Sequence, residues 1–283
     1  MERREFLKVA AVAATAAATV APIAAHGDEF PLKGKIKKAV GYGMVKEFST
    51  PEDKFKLLKD LGFDGVETGI NEVDPAALRK ASEATGIVAH GVVHGWSLDK
   101  IPESIDYAKA IGADSVLVVP DKVGDGVYYD ELYTRSQAVY REVVAHAEKQ
   151  QVMLLLENVW NNFLISPLES ARYVDEMNHP WFAFYFDAGN VIRYGWSEQW
   201  IRVLGKRIRK LHLKDYSREK QEKEGLWKGF DVEIGEGSAN WKEIRRELAA
   251  IGYEGWATAE VGGGDRKRLK QIGDEMDKVL NLA

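Results

Sequence analysis

The strongest constraint on this chain is a rhythm. Eight short apolar segments recur along it: Ala39–Met44, Gly65–Thr68, Ile87–His94, Ser115–Pro120, Met153–Val159, Phe182–Asn190, Ile208–Asp215 and Gly255–Val261. Amphipathic stretches separate them, among them Pro51–Leu61, Pro75–Thr85, Asp130–Gln150, Pro167–Met177 and Trp241–Ile251. Short apolar runs bounded by turn signals read as strands, and apolar residues at three- and four-residue spacing read as helices. Thr50-Pro51 and Asp74-Pro75 place a capping side chain before a proline at the first helical position. The repeats Leu61-Gly-Phe-Asp-Gly65, Ile111-Gly-Ala-Asp-Ser115 and Ile251-Gly-Tyr-Glu-Gly255 put glycine where a helix ends and an acid just before a strand begins. Eight such units in roughly 255 residues predict a single α/β domain, a (β/α)8 TIM barrel spanning residues 26–283. An open doubly wound sheet would need a glycine-rich phosphate turn after its first strand, and Gly41-Tyr42-Gly43 lacks that pattern.

The first 25 residues stand outside this rhythm. Arg3 and Arg4 precede Phe6 and Leu7, and an Ala- and Val-rich run without charge extends from Val9 to Ala25. The order Arg-Arg-x-Phe-Leu-Lys resembles a twin-arginine signal peptide, which predicts handling by the twin-arginine export machinery and a periplasmic or otherwise exported protein. The run is short and only weakly hydrophobic for a spanning helix, so no stable membrane anchor is expected.

With no cysteine, the chain has no disulfide, thiol nucleophile or zinc–thiolate centre. A net charge of −5 argues against binding along a phosphate backbone, so no nucleic-acid partner is expected. In a TIM barrel, chemistry gathers at the C-terminal ends of the strands. Those ends here carry Glu67, His94, Glu157 with Asn158, Asp187 with Asn190, His212 with Lys214 and Asp215, and Glu260. Glu157 and Glu260 each close an apolar run, and a buried carboxylate needs a partner. One divalent cation held by three carboxylates and an imidazole meets that need. An oxygen-rich set suits manganese first, with magnesium, cobalt or zinc as alternatives.

The segments Leu156-Glu-Asn158, Phe186-Asp-Ala-Gly-Asn190, Leu211-His-Leu-Lys-Asp215, Gly235-Glu-Gly237 and Ala259-Glu-Val261 together resemble the xylose-isomerase-like sugar isomerase and epimerase family. The resemblance runs from about Lys37 to the C-terminus. It implies that Glu157, Asp187, His212 and Glu260 bind one divalent metal and that Glu157 and Glu260 exchange protons with a small carbohydrate substrate. Removing the proton beside a ketose carbonyl leaves an enediolate, whose charge a metal stabilises. In this picture Glu67, His94, Asn190 and Lys214 contact the sugar, with Lys214 alternatively paired to Asp215. His90, four residues before His94, is expected on the same side but deeper. Many ketose 3-epimerases carry histidine three residues after the aspartate ligand. Asn190 stands there in this chain, able to bind a hydroxyl but not to titrate.

Ser217–Ile234 is long and charged and is expected to form an irregular lid, with Trp227 and Phe230 packing on a sugar face alongside Trp96 and Trp160. No phosphate-binding loop is evident, which favours a non-phosphorylated substrate, although Gly262-Gly-Gly264 ahead of a helix leaves a backbone anion site open. Deprotonation beside a carbonyl also begins an elimination, so a lyase or dehydratase acting on a keto-sugar or keto-inositol is the alternative activity. An exported carbohydrate-binding protein is the alternative without catalysis. The barrel-related DNA-repair endonucleases use a histidine-rich three-zinc cluster, and six histidines are too few for that here. Barrel relatives often form dimers or tetramers, which leaves a homo-oligomer open.

Overall fold

The structure, a computed structural model, describes residue 30 and residues 32–282. The leader assigned to residues 1–25 lies outside the described residues. Eight parallel strands close into a barrel in sequence order: β1 (Ile36–Gly41), β2 (Gly65–Gly69), β3 (Val88–Gly95), β4 (Ser115–Val118), β5 (Met153–Glu157), β6 (Phe182–Asp187), β7 (Ile208–Leu213) and β8 (Gly255–Ala259). Closure is made by β8 pairing with β1, Ile36 opposite Gly255 and Val40 opposite Ala259. The helices are α1 (Pro51–Asp60), α2 (Pro75–Thr85), α3 (Ile101–Ile111), α4 (Tyr129–Gln150), α5 (Pro167–Met177), α6 (Ser197–Leu204), α7 (Arg218–Glu224), α8 (Trp241–Ala250) and α9 (Arg266–Leu280). Among the described residues no helix is long and apolar enough to cross a membrane.

Local chemistry sets the element boundaries. Thr50, Asp74 and Ser166 each accept a hydrogen bond from the backbone N–H three residues on, capping α1, α2 and α5 ahead of a first-turn proline. In the repeated helix-to-strand turns, Gly62, Gly112 and Gly252 all have left-handed φ, from +69° to +85°, where a Cβ would be strained. The acids that follow are tied to neighbouring strands: Asp64 accepts from the Lys38 N–H, and Asp114 pairs with the Lys210 ammonium.

Two apolar layers result. Leu117, Leu155, Ala183 and Tyr185 fill the barrel interior with Val93 against them, and a larger cluster packs the outer strand faces against the helices. The interior also holds polar side chains. Lys210 reaches His90 Nδ1 at 3.0 Å, His90 Nε2 meets Thr258 Oγ1 at 3.0 Å, and Thr258 meets the Tyr185 hydroxyl at 3.2 Å.

The structure corrects three expectations. The ladders end earlier than the apolar runs: β5, β6, β7 and β8 stop at 157, 187, 213 and 259, so Asn158, Asn190, Lys214, Asp215 and Glu260 stand on the loops that follow. At the first strand the shift is at the front, where β1 starts at Ile36 and Tyr42–Met44 is a 3-10 turn. The segment after β7 is helical rather than irregular, with α7 capped by the Ser217 hydroxyl and a 3-10 turn over Leu226–Phe230.

Candidate functional site

Four strands converge on one polar group at the C-terminal mouth of the barrel. Glu157 closes β5, Asp187 closes β6, His212 lies on β7 and Glu260 follows β8. One ligand atom from each can be chosen so that all lie within 4.8 Å of one another. His212 Nδ1 faces the set, 2.7 Å from Glu157 Oε1, 3.6 Å from Glu260 Oε2 and 4.0 Å from Asp187 Oδ2. Lys214 Nζ lies 2.9 Å from Asp187 Oδ2 and also bonds Glu260, so its partners are these two acids and not Asp215.

The charges explain one another. Burial pushes the Glu157 carboxyl up to about 7; His212 opposes that, and the Glu260 and Asp187 charges reinforce it. Burial likewise raises Asp187 against the pull of Lys214. Glu260 goes the other way: burial would raise it, but Lys214 and His212 hold it down at about 2. Burial acts to lower His212, and the Glu157, Glu260 and Glu67 charges more than offset it, so the imidazole sits well above its ordinary value. Three carboxylates and one imidazole gathered this closely are ligand types that a divalent cation takes. The donor set therefore fits such an ion.

The residues holding this group also have identifiable supports. Asn158 Nδ2 donates to the Asp187 carbonyl and its Oδ1 accepts from the Asp187 N–H, both at 2.9 Å, which locks the ends of β5 and β6 together. Asn190 N–H donates to Asp187 Oδ1 at 2.7 Å, and Asn190 Nδ2 donates to the Asn158 carbonyl. A Cβ at Gly189 would collide with the Lys214 side chain and backbone, so glycine there lets the turn after β6 lie directly on Lys214.

Glu67 and His94 are placed differently from the sequence expectation. Glu67 is buried beneath His212 and takes Nε2 at 2.7 Å, an arrangement that fixes the ring and leaves Nδ1 for the centre. It braces the imidazole and also lines a smaller pocket of about 270 Å3 shared with His212 and Glu260. The other case follows from register. His90 has no partner on β2, since Ala89 pairs with Val66 and Gly91 with Glu67. That bulge reverses the alternation: beyond it Val93 faces the interior, and His94 turns outward to Ser104 of α3, its Nδ1 2.6 Å from the hydroxyl. His90 and His94 therefore do not share a side. We expect Glu67→Ala, which leaves the buried Nε2–H without its acceptor, to weaken divalent-metal binding about 10–100-fold in equilibrium dialysis. Unchanged binding would deny Glu67 this role.

Sequence reading also missed the work of Asp215. Its carboxylate is buried and accepts from Tyr216 N–H at 2.8 Å, Gly235 N–H and Ala239 N–H at 3.1 Å, and Trp241 Nε1–H at 2.9 Å. Gly235 has φ +92°, and a Cβ at Gly237 would strike the Asp215 carboxylate, so the Gly-Glu-Gly segment is the wrapping of this anchor. The signal was present as an acid three residues after the strand histidine, but three of its four partners lie 20 to 26 residues away.

Above the group opens a cavity of about 1030 Å3 that includes Glu157, Asn190, Lys214 and Glu260 at its floor and Trp96, Trp160, Trp227 and Phe230 on its walls. A parallel barrel with its polar groups gathered at the C-terminal mouth, under an open cavity, is the arrangement of the TIM-barrel site-bearing class. The chain belongs to the xylose isomerase-like TIM barrel family, whose model matches residues 55–282. It is 27% identical over 236 residues to the L-ribulose-5-phosphate 3-epimerase UlaE of Salmonella paratyphi A, covering 72% of this chain and 79% of that protein. Its fold is similar to that of an L-ribulose 3-epimerase (TM-score 0.71, 16% identity, 87% of this chain and 95% of the other). A D-psicose 3-epimerase determined in the presence of D-fructose is similar as well (TM-score 0.70, 17% identity, 86% and 99%).

Proposed function

We propose that the protein is a divalent-metal-dependent sugar epimerase or isomerase that moves a proton on the carbon beside a ketose or keto-sugar carbonyl. The convergence of Glu157, Asp187, His212 and Glu260 within 4.8 Å carries this reading, and the sugar 3-epimerase relative supports the reaction class. Manganese suits the donor set best. A metal held by these four residues would polarise the substrate carbonyl and lower the cost of negative charge on its oxygen.

The chain's own residues supply the rest. Glu260 and Glu157 flank the group, so one is placed to take the proton and the other to return it. They reach the site from β8 and β5, on either side of His212. Lys214 keeps a positive charge beside the reacting oxygens, and Asn190 offers its side chain to a hydroxyl at the cavity floor. Export by the Arg3-Arg4 leader is part of the same proposal, placing the enzyme where free sugars and glycosides are met.

Metal uptake tests this reading. Burial raises the proton affinity of Glu157 and the surrounding carboxylates raise that of His212 in the metal-free protein, and each must be free of its proton to act as a ligand. Manganese binding should therefore release protons and tighten as pH rises from 6 to 8. Calorimetry in two buffers of different ionisation enthalpy reads the proton count, and chelation should remove turnover until metal is returned. Binding with no proton release, or turnover that survives complete chelation, contradicts the proposal.

A further inference from the structure

The cavity above the four-residue group is built for more than one sugar ring. At about 1030 Å3 it lies at the upper end of small-molecule pockets and is several times the volume of a single sugar. Its walls are aromatic on the outside and polar at the floor. Trp160 is the centre of the aromatic part: its ring lies 5.0 Å from Trp227 and 4.8 Å from Phe230, and Arg193 covers it at 5.0 Å. The Trp160 indole N–H donates to the Asn190 carbonyl at 2.7 Å, and the Asn190 N–H holds Asp187. The shelf is thus fixed directly to the reacting centre. Trp227 is 68% exposed and Trp96, on the β3 side of the cavity, is 52% exposed. Large aromatic faces left in water along a cavity wall mark a surface that a ligand covers.

Charge decides what that ligand is. Apart from Asp215, whose carboxylate is turned toward α8, seven carboxylates line the cavity against four cations. Each cation is already engaged by the chain itself. Lys214 bonds Asp187 and Glu260, Arg268 pairs with Glu233 at 2.7 Å, Lys220 donates to the Asp231 carbonyl and Lys223 pairs with Glu219, the last two at 2.5 Å. A divalent metal would still leave the lining net negative. A phosphate dianion entering here would face excess negative charge, with the four lining cations already paired and Arg193 lying over the Trp160 ring.

We propose that the substrate is an uncharged glycoside of a keto-sugar, two rings long. Its keto unit sits over Glu157 and Glu260, and its second ring lies on the Trp160–Trp227 shelf; the negative lining favours it over a phosphorylated sugar. The inference rests on the epimerase or isomerase reading for the first ring alone. The second ring is bound by dispersion and hydrophobic contact on the shelf, so its contribution can be read without turnover.

The test uses manganese-loaded E157Q in calorimetric titration with D-fructose, three neutral glycosyl-fructoses (turanose, lactulose and isomaltulose, substituted at O3, O4 and O6) and D-fructose 6-phosphate. At least one glycosyl-fructose should bind about tenfold more tightly than D-fructose, and D-fructose 6-phosphate no more tightly than D-fructose. The second variant, E157Q combined with Trp227→Ala, should erase that advantage; Trp227 is exposed, so its removal does not threaten the fold. A phosphate ester that binds more tightly than fructose, or the absence of any glycosyl advantage, overturns the proposal. Wild-type turnover of the same panel is scored separately. Glycosyl advantage without turnover would sink the epimerase reading and leave the shelf standing, whereas turnover of free ketoses without glycosyl advantage would do the reverse.

Discussion

Glu157→Gln is expected to lower kcat by about a thousandfold or more, and Glu260→Gln to do the same, because each replaces a proton-transferring carboxylate by an amide that keeps one oxygen for a metal. Glutamine matches glutamate in shape and cannot take a proton in this pH range, so the loss reports chemistry. Stability separates this from unfolding. In the metal-free protein the Glu157 carboxyl is buried among like charges and pushed up to about 7, so the folded state gains nothing from its ionisation at pH 7. Such a group, with its folded value raised above the unfolded one, penalises folding as pH rises through the window from about 4.5 to 7. The metal-free Glu157→Gln protein should therefore melt at a temperature no lower than wild type at pH 8. Retention of a tenth or more of wild-type kcat by either variant would remove that residue from the proposed pair.

The largest stability effect should come from Asp215. Alanine there strips the acceptor from three backbone N–H groups and the Trp241 indole, all held between 2.8 and 3.1 Å. Hydrogen bonds to a charged group and the donors left behind each count for more than an ordinary pair. A loss of about 4 kcal/mol is expected, a drop in Tm on the order of 10 °C. Asp215→Asn keeps the volume and one acceptor oxygen but turns an NH2 toward donors, so it should fall between alanine and wild type. Because Tyr216 packs on Phe230 and bonds the Leu226 carbonyl, the same change should loosen the segment that carries Trp227. Denaturant titration of the two variants measures this; an alanine variant within about 1 kcal/mol of wild type would mean that water replaces the carboxylate.

The barrel was legible because its cause is periodic. Strand runs, proline-led helix starts and three glycine turns repeat along the chain, and each repeats a local physical need that a sequence displays directly. Glu157, Asp187 and Glu260 were legible for a related reason, since each ends an apolar run, while His212 was legible through the resemblance of Leu211-His-Leu-Lys-Asp215 to the family. What failed was anything decided by register or by distant partners. The rule that alternate residues share a face broke at His90, where one unpaired residue on β3 turned His94 to α3 and brought Val93 inward. Glu67 was read at a strand end but lies at the middle of β2, and only the closed barrel shows that His212 lies over it. Asp215 looked like a partner for Lys214 because the two are adjacent, whereas alternation past His212 sends Lys214 into the mouth and Asp215 toward α8. Strand ends ran long in the reading because polar loop residues such as Asn158 and Asn190 continue an apolar run without continuing its ladder.

The central claim is that this chain moves a carbon-bound proton next to a carbonyl, and the bond itself can be watched. Manganese-loaded protein is incubated in deuterated water with free ketoses, keto-sugars, an inosose and the glycosyl-fructoses, and proton NMR follows each carbon-bound signal before and after chelation. The account predicts loss of one signal beside the carbonyl in at least one compound, with an epimer or isomer appearing, and no exchange after chelation or in Glu157→Gln. New vinylic signals would instead mark elimination and move the protein to the lyase class. Full retention of every carbon-bound proton across the panel, by protein shown to bind manganese, would contradict the account.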